Sequence, residues 1–203
     1  VSKKTKKIDR TFVSTEKKNI LQKSIKWGSE KVFLRRSENA LDFSTDTEVI
    51  MDFFKSWFKK NEIYPKNIIY LRPTTPLRNP KTLDKAIIKF EKIKNFDSMI
   101  SVNQTSSAFK TFVIKKKKYL RPSFKNMTLD DANKPRQNFT PTYVGNGYFD
   151  IIKTKNILNN SFLGNKCFPF ITKEIIDIDK KKDLVLAKFI VKNKIKFLDF
   201  YEF

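Results

Sequence analysis

The chain has 203 residues, is 39% hydrophobic with 20 phenylalanines, and carries a formal net charge of +22, which suits one domain with a sizeable core. It contains no histidine, which excludes a histidine-based triad, a histidine-ligated zinc and an imidazole general base. A lone cysteine, Cys167, excludes an internal disulfide and reads as a structural thiol in a reducing compartment. The cations are almost all lysine and are spread along the chain, with seven arginines and no aromatic-basic repeat. The charge therefore reads as composition and not as a nucleic-acid face. No apolar run reaches the length of a membrane span and no signal peptide is visible, so the expectation is a cytoplasmic protein without a membrane or nucleic-acid partner.

In chain order, 8–14 (IDRTFVS) predicts a short strand, and a helix from Glu16 repeats Ile20, Leu21, Ile25 and Trp27 at helical spacing until Gly28 ends it. A brief strand is expected at 31–34. Thr45 with Glu48 three residues on forms a capping box for a helix carrying Val49, Ile50, Phe53, Phe54, Trp57 and Phe58. Ile68 to Leu71 is β-branched, aromatic and apolar on both faces, as in a strand covered on both sides. Asn79 then reads as an N-cap with Pro80 at the first helical position, and Leu83, Ala86, Ile87, Phe90 and Ile93 share one helical face. Residues 98–102 (SMISV) predict another buried strand, so strands alternate with helices as in a doubly wound α/β sheet.

That rhythm breaks over 103–146. A hairpin is expected from 109–114 and 119–124 around a run of four lysines, followed by a polar stretch at 126–138 without clear periodicity. A long excursion of this kind inside a domain suggests an arm that packs on a partner subunit. A strand at 147–153, a short helix at 154–158, a last strand approached through 171–178 and a helix over 181–191 burying Leu184, Ala187 and Ile190 complete the pattern. A basic, aromatic tail follows from Lys192.

Two stretches carry chemistry. After the Ile68–Leu71 run comes Arg72-Pro-Thr-Thr-Pro-Leu-Arg78, a loop stiffened by prolines at the carboxyl end of a strand, where open α/β sheets bind ligands. The second is Ile176-Asp177-Ile178-Asp179. On a strand the two aspartates project from one face, where they can share a hard cation such as Mg²⁺; solvated aspartates at a strand end are the plainer alternative. Fixed arginines beside such a pair suit phosphoryl or nucleotidyl transfer, which needs positioning and charge compensation more than a general base.

With these residues in view the sequence resembles the acylneuraminate cytidylyltransferases, the CMP-sialic acid synthetase family. Phe12-Val-Ser-Thr-Glu16 resembles the family's FVSTD element, Val32-Phe-Leu-Arg35 its short strand ending in arginine, and Leu71-Arg-Pro-Thr-Thr-Pro-Leu-Arg78 its LQPTSPLR loop. Asp97-Ser-Met-Ile-Ser-Val102 is similar to its DSVVSV strand, Pro135-Arg-Gln137 to its arginine-glutamine pair, Asn146-Gly147 to its NG turn, and Ile176-Asp-Ile-Asp179 to its IDID. Each is weak alone, but seven in family order are specific.

The resemblance implies a three-layer α/β fold with a mostly parallel sheet and helices on both faces, of the Rossmann-like nucleotide-diphospho-sugar transferase type. It implies a homodimer, with 103–146 as the dimerisation arm of a single domain spanning 1–203. The implied reaction joins CTP and a nine-carbon sugar acid to give a CMP-sugar and pyrophosphate with Mg²⁺. Asp177 and Asp179 are the implied metal-binding and catalytic residues. Ser14, Thr74 and Arg78 fall on the nucleotide side, and Arg72, Lys110, Arg136, Gln137 and Asn146 on the sugar side.

The departures from the family pattern matter too. Arg72 stands where glutamine is usual and Tyr148 where alanine is common. The family's first strand and basic glycine-rich triphosphate loop have no counterpart here. The resemblance thus implies an N-terminally incomplete domain that keeps the sugar and metal half of the site and does not bind CTP normally. Two other functions stay open: a nucleotidyltransferase for an eight-carbon acid such as Kdo, and a non-catalytic basic binding module.

Overall fold

The computed structural model describes residues 2–30, 33–41, 43–58, 64–193 and 195. The strands among them follow the apolar runs: β1 (Asn67–Tyr70), β2 (Ser98–Gln104), β3 (Phe112–Lys115), β4 (Tyr119–Pro122), β5 (Tyr143–Lys153) and β6 (Cys167–Ile171). The helices are α1 (Lys18–Lys26), α2 (Asp46–Phe53), α3 (Pro80–Lys92), α4 (Leu129–Asn133), α5 (Thr154–Leu158) and α6 (Lys181–Lys192). A π turn, Phe54–Phe58, carries α2 onward.

Four strands form one sheet in the order β1-β5-β2-β6. β2 and β6 run parallel, while β5 is antiparallel to both β1 and β2. Three of the four strands therefore share a direction and β5 is reversed between them, so the sheet is mixed. Neighbouring positions on β5 send their side chains to opposite faces. Ile151 packs with Leu83, Ala86, Ile87 and Phe90 of α3, and Ile152 packs with Ile50, Phe54, Phe58 and Ile157 from α2, its π turn and α5. Helices thus cover both faces, and the layers are α3, the sheet, and α2 with α5. Burying each of the large α3 side chains contributes about 1.5–3 kcal/mol.

The helix signals in the sequence are realised at atomic contacts. Thr45 Oγ1 accepts from the Glu48 amide and Glu48 Oε2 accepts from the Thr45 amide, closing the capping box of α2. Asn79 Oδ1 accepts from the Lys81 amide at the start of α3, with Pro80 as its first residue. Gly28 ends the first helical region at φ +94°, a conformation in which other residues are strained.

Several expectations require correction. The 8–14 segment forms no strand: its neighbour Glu30 donates its amide to Thr11, Arg35 donates to Thr15, and these isolated bonds make no ladder. Of the brief strand expected at 31–34, Lys31 and Val32 lie outside the described residues, and Phe33 and Leu34 are not in a strand. β1 is half-buried along its length because it is an outer strand of the sheet. The polar stretch at 126–138 contains α4, opened by a capping box between Thr128 and Asp131. In α6, Ala187 and Ile190 are buried, but Leu184 is 40% exposed. Cys167 is half-buried at the start of β6. In the expected basic tail, Lys194 and 196–203 lie outside the described residues.

The excursion at 103–146 contains the expected hairpin, β3 paired antiparallel with β4 from Phe112↔Pro122 to Lys115↔Tyr119. Its turn places Lys116 and Lys117 at φ +51° and +53°. Phe112, Val113, Ile114, Tyr119 and Leu120 are all exposed along it.

Candidate functional site

The site is built where the loop after β1, a bulge in β5 and the segment after β6 meet. Between Ile100 and Val102 the β2–β5 register shifts: Ile100 faces Asp150, whereas Val102 faces Gly145. The surplus residues on β5 include Asn146-Gly147-Tyr148. The buried Ser101 hydroxyl fills the interrupted ladder, donating to the Phe149 carbonyl and accepting from the Phe149 amide. Bulges re-aim backbone groups in this way. Here the Gly147 and Tyr148 carbonyls turn toward the loop and accept from the Arg78 guanidinium. Gly147 sits at φ +69°, and a Cβ there would lie 3.3 Å from Thr75 Oγ1 and 3.5 Å from Arg72 Cδ.

The loop is fixed from both ends. Arg78 Nη2 also donates to the Arg72 carbonyl at 2.6 Å, and the Asn79 amide donates to the Tyr148 hydroxyl at 2.6 Å. Burial pulls the Arg78 guanidinium down to about 10, partly offset by the negative groups facing it, Asp177 among them. It stays cationic at neutral pH.

The loop then receives the acidic segment. Ile178 donates its amide to the Thr74 carbonyl at 2.8 Å, and the fully buried Thr75 donates its hydroxyl to Asp177 Oδ1 at 3.3 Å. Asp177 is half-buried, Asp179 is exposed, and neither forms an ion pair among the described residues. The expected strand at this point is corrected: β6 stops at Ile171 and 173–179 belongs to no strand. Its backbone instead bonds to the loop through Ile178, and Asp183 Oδ2 takes the Asp179 and Lys180 amides as α6 begins.

Among the described residues no group of three or more His, Cys, Asp or Glu gathers as a closed cation cage. The Asp177 carboxylate, without an ion pair among the described residues and beside the Thr75 hydroxyl, nonetheless fits Mg²⁺, which takes one or two carboxylates and completes its shell with water and phosphate oxygens; with no strand at 173–179, alternation no longer sets Asp179 on the same face.

On the other side of the bulge, Asn146 links β5 to β2 and to the residue that follows β6. Its Nδ2 donates to Asn103 Oδ1 and Thr172 Oγ1, and its Oδ1 accepts from the Tyr148 amide. Asn103 and Thr172 also line a cavity of about 530 Å³, together with Ser106, Arg136, Tyr143 and Lys173. Arg136 thus contributes a cation to this cavity. Lys110 Nζ donates to the Lys134 carbonyl at 2.6 Å. Gln137 is exposed in the turn Arg136–Asn138. Ser14 is half-buried in the extended 11–15 segment, and no hydrogen bond ties it to the Asp177 cluster.

Arg72 is committed elsewhere. Its guanidinium is clamped between Asp150, only 8% exposed, and Asp46 at the first turn of α2. Burial opposes the Arg72 cation, and the two carboxylates overcome this and hold it above its ordinary value. Burial raises Asp150, with Arg72 acting in the opposite direction. Tyr70 donates its hydroxyl to Asp46 Oδ1 at 2.8 Å; burial, then the Asp46 charge, raises its pKa and keeps it protonated. Sequence reasoning set Thr75 in the ligand loop without a role, and missed Asp46 and Asp150. Asp150 did leave a signal, since a lone carboxylate in the apolar run Tyr148-Phe-Asp-Ile-Ile requires a buried cation as partner.

No family model matches the sequence. The chain is 27% identical over 195 residues to the CMP-N,N'-diacetyllegionaminic acid synthase of Legionella pneumophila, covering 89% of this chain and 77% of that one. It is 25% identical over 189 residues to the pseudaminic acid cytidylyltransferase of Campylobacter jejuni serotype O:2, covering 91% and 78%. Its fold matches a CMP:2-keto-3-deoxy-manno-octonic acid synthetase complexed with CTP, with a TM-score of 0.65 at 11% identity, over 96% of this chain and 85% of that one. These relatives and this shared α/β fold, beside the motifs that meet around Asp177, make the chain similar to the sialic-acid-like CMP-sugar synthetases.

Proposed function

We propose that this protein is a cytidylyltransferase that joins CTP to a nine-carbon, sialic-acid-like sugar acid, forming a CMP-sugar and releasing pyrophosphate. The observation that carries this reading is the meeting of the 72–78 loop with Asp177 through Ile178–Thr74 and Thr75–Asp177, in a chain whose relatives bear the names given above.

In this reading Asp177 and Asp179 hold Mg²⁺, which supplies charge neutralisation at the α-phosphate when bound. Thr75 fixes the Asp177 carboxylate by its hydroxyl, and the Thr74 carbonyl fixes the backbone that carries it. Thr74 and Ser14 face the nucleotide. Asn146 holds the wall of the 530 Å³ cavity, where Arg136 is a charge partner for the sugar carboxylate and Lys110 and Gln137 flank it. The sugar's anomeric oxygen attacks the α-phosphorus and pyrophosphate leaves, a substitution that rests on alignment and charge compensation. The reading also takes the exposed apolar hairpin β3–β4 as the surface of a homodimer, and the cytoplasm as the place of reaction. No helix among the described residues is long and apolar enough to cross a membrane.

The test is pyrophosphate release by the full-length protein with CTP, Mg²⁺ and a panel of legionaminic, pseudaminic, N-acetylneuraminic and 2-keto-3-deoxy-manno-octonic acids. The expected result is CTP-dependent release with a nine-carbon acid, abolished by Asp177→Asn. Release with the eight-carbon acid alone moves the assignment to that substrate, and silence with every acid overturns it.

A further inference from the structure

We propose that Arg78 is a positioning residue for the Asp177 site and not a ligand of the nucleotide. This inference rests on the function proposed above and assigns its loop arginine a different task from phosphate binding.

The guanidinium has five N–H donors in a fixed planar fork. Nε donates to the Tyr148 carbonyl, and Nη2 donates to both the Arg72 and Gly147 carbonyls. These acceptors lie on two elements: Arg72 opens the loop, and Gly147 and Tyr148 form the β5 bulge. The side chain therefore closes 72–78 on itself and fastens the closed loop to the sheet. Tyr148 completes the attachment, its ring facing the Arg78 guanidinium at 5.9 Å and its hydroxyl accepting from the Asn79 amide.

What the loop holds in turn is the acidic segment. The Thr74 carbonyl receives the Ile178 amide, and Thr75 donates to Asp177. Arg78 makes no ion pair with Asp177 among the described residues, so it acts on that carboxylate through the loop and through space. The geometry resembles an outer shell that orients a metal-binding carboxylate, a role whose loss typically lowers metal affinity roughly ten- to a hundredfold. Lysine keeps the charge but cannot reproduce a fork that bonds three carbonyls on two elements. Arg78→Lys should therefore behave like Arg78→Ala, whereas a phosphate contact would survive the lysine substitution.

The experiment uses the 203-residue chain, with Mn²⁺ as the metal probe and no nucleotide. Mn²⁺ affinity and amide hydrogen exchange are measured for the wild type, Arg78→Lys, Arg78→Ala and Asp177→Asn. The Ile152 amide in the sheet interior reports global opening. The expected result is that both Arg78 variants lose roughly ten- to a hundredfold in Mn²⁺ affinity, with faster exchange at the Ile178 amide and unchanged exchange at Ile152. Unchanged exchange at Ile178 in both variants overturns the proposal, whatever the metal does, and so does wild-type behaviour of the lysine variant alone. If the wild type and Asp177→Asn bind Mn²⁺ equally poorly, the metal reading of the function fails, and the Ile178 comparison still decides the role of Arg78.

Discussion

Replacing Arg72 with methionine removes the cation between Asp46 and Asp150 while keeping most of the side-chain volume. Asp150 is then a carboxylate with 8% of its side chain exposed and no cationic partner, whereas Asp46 is 37% exposed and retains the Tyr70 hydroxyl. Removing one member of a buried pair typically costs 3–5 kcal/mol; because Arg72 is itself about a third exposed, the lower range of about 2–3 kcal/mol applies at neutral pH. In a chain of this length that lowers Tm by about 5–10 °C.

The pH dependence carries a sign. Burial already raises the folded-state pKa of Asp150, and Arg72 is the chief group opposing it. Without Arg72 it rises further. A carboxyl group with a raised folded pKa holds its proton more tightly in the folded state, so its contribution is favourable below the unfolded value and is lost as pH climbs through the folded value. The deficit of Arg72→Met should therefore shrink as pH falls toward the ordinary carboxylate range. Asp150→Asn in the same chain should recover most of the loss, because replacing both partners leaves no buried charge. Urea unfolding of the wild type, the single variant and the double variant across pH measures all three. A variant indistinguishable from wild type at neutral pH, or a deficit that grows on acidification, would refute the argument.

Gly147→Ala should cost about 1–2 kcal/mol, because alanine is strained at φ +69° and its Cβ meets Thr75 Oγ1 at 3.3 Å; denaturant unfolding reads this. Tyr148→Phe leaves the Asn79 amide without its acceptor at the head of α3 and should destabilise by about 1–3 kcal/mol, with faster exchange at that amide. Thr45→Ala opens the capping box of α2 and should cost about 1 kcal/mol in the same measurement. In the proposed dimer, Ile114→Lys places a charge on the exposed hairpin and should shift sedimentation to the monomer, since Ile114 is 70% exposed.

Local signals were legible in the sequence where the physics is local. Thr45 with Glu48 and Asn79 with Pro80 each specify their structure within a few residues and appear as read; the hairpin forms around the four lysines, but its strands are Phe112–Lys115 and Tyr119–Pro122, with Ala108–Lys110 in a 3₁₀ turn. The 128–131 capping box was equally local, but aspartate in place of glutamate hid it in a polar stretch. The direction of β5 was not legible, because side-chain alternation is the same for parallel and antiparallel strands. The same limit produced the error at 176–179. Ile-Asp-Ile-Asp alternates like a strand, but its backbone finds the Thr74 carbonyl and the Asp183 carboxylate instead of a neighbouring strand. The loop was found from its place after an apolar strand and then by resemblance, yet Arg72 and Arg78 look alike in sequence. Only the positions of Asp46, Asp150 and three carbonyls separate a salt-bridged arginine from one that braces the backbone.

The way Arg78 grips the loop bears on how this protein can change. Carbonyl oxygens are common to all twenty amino acids, so these three bonds follow the course of the chain and not its side chains. The side chains at 72 and 148 answer to other demands, the Asp46–Asp150 clamp and the Asn79 amide, so in the proposed reaction the natural positions to randomise for new sugar acceptors are cavity-lining ones such as Ser106 and Tyr143, with residue 78 left alone.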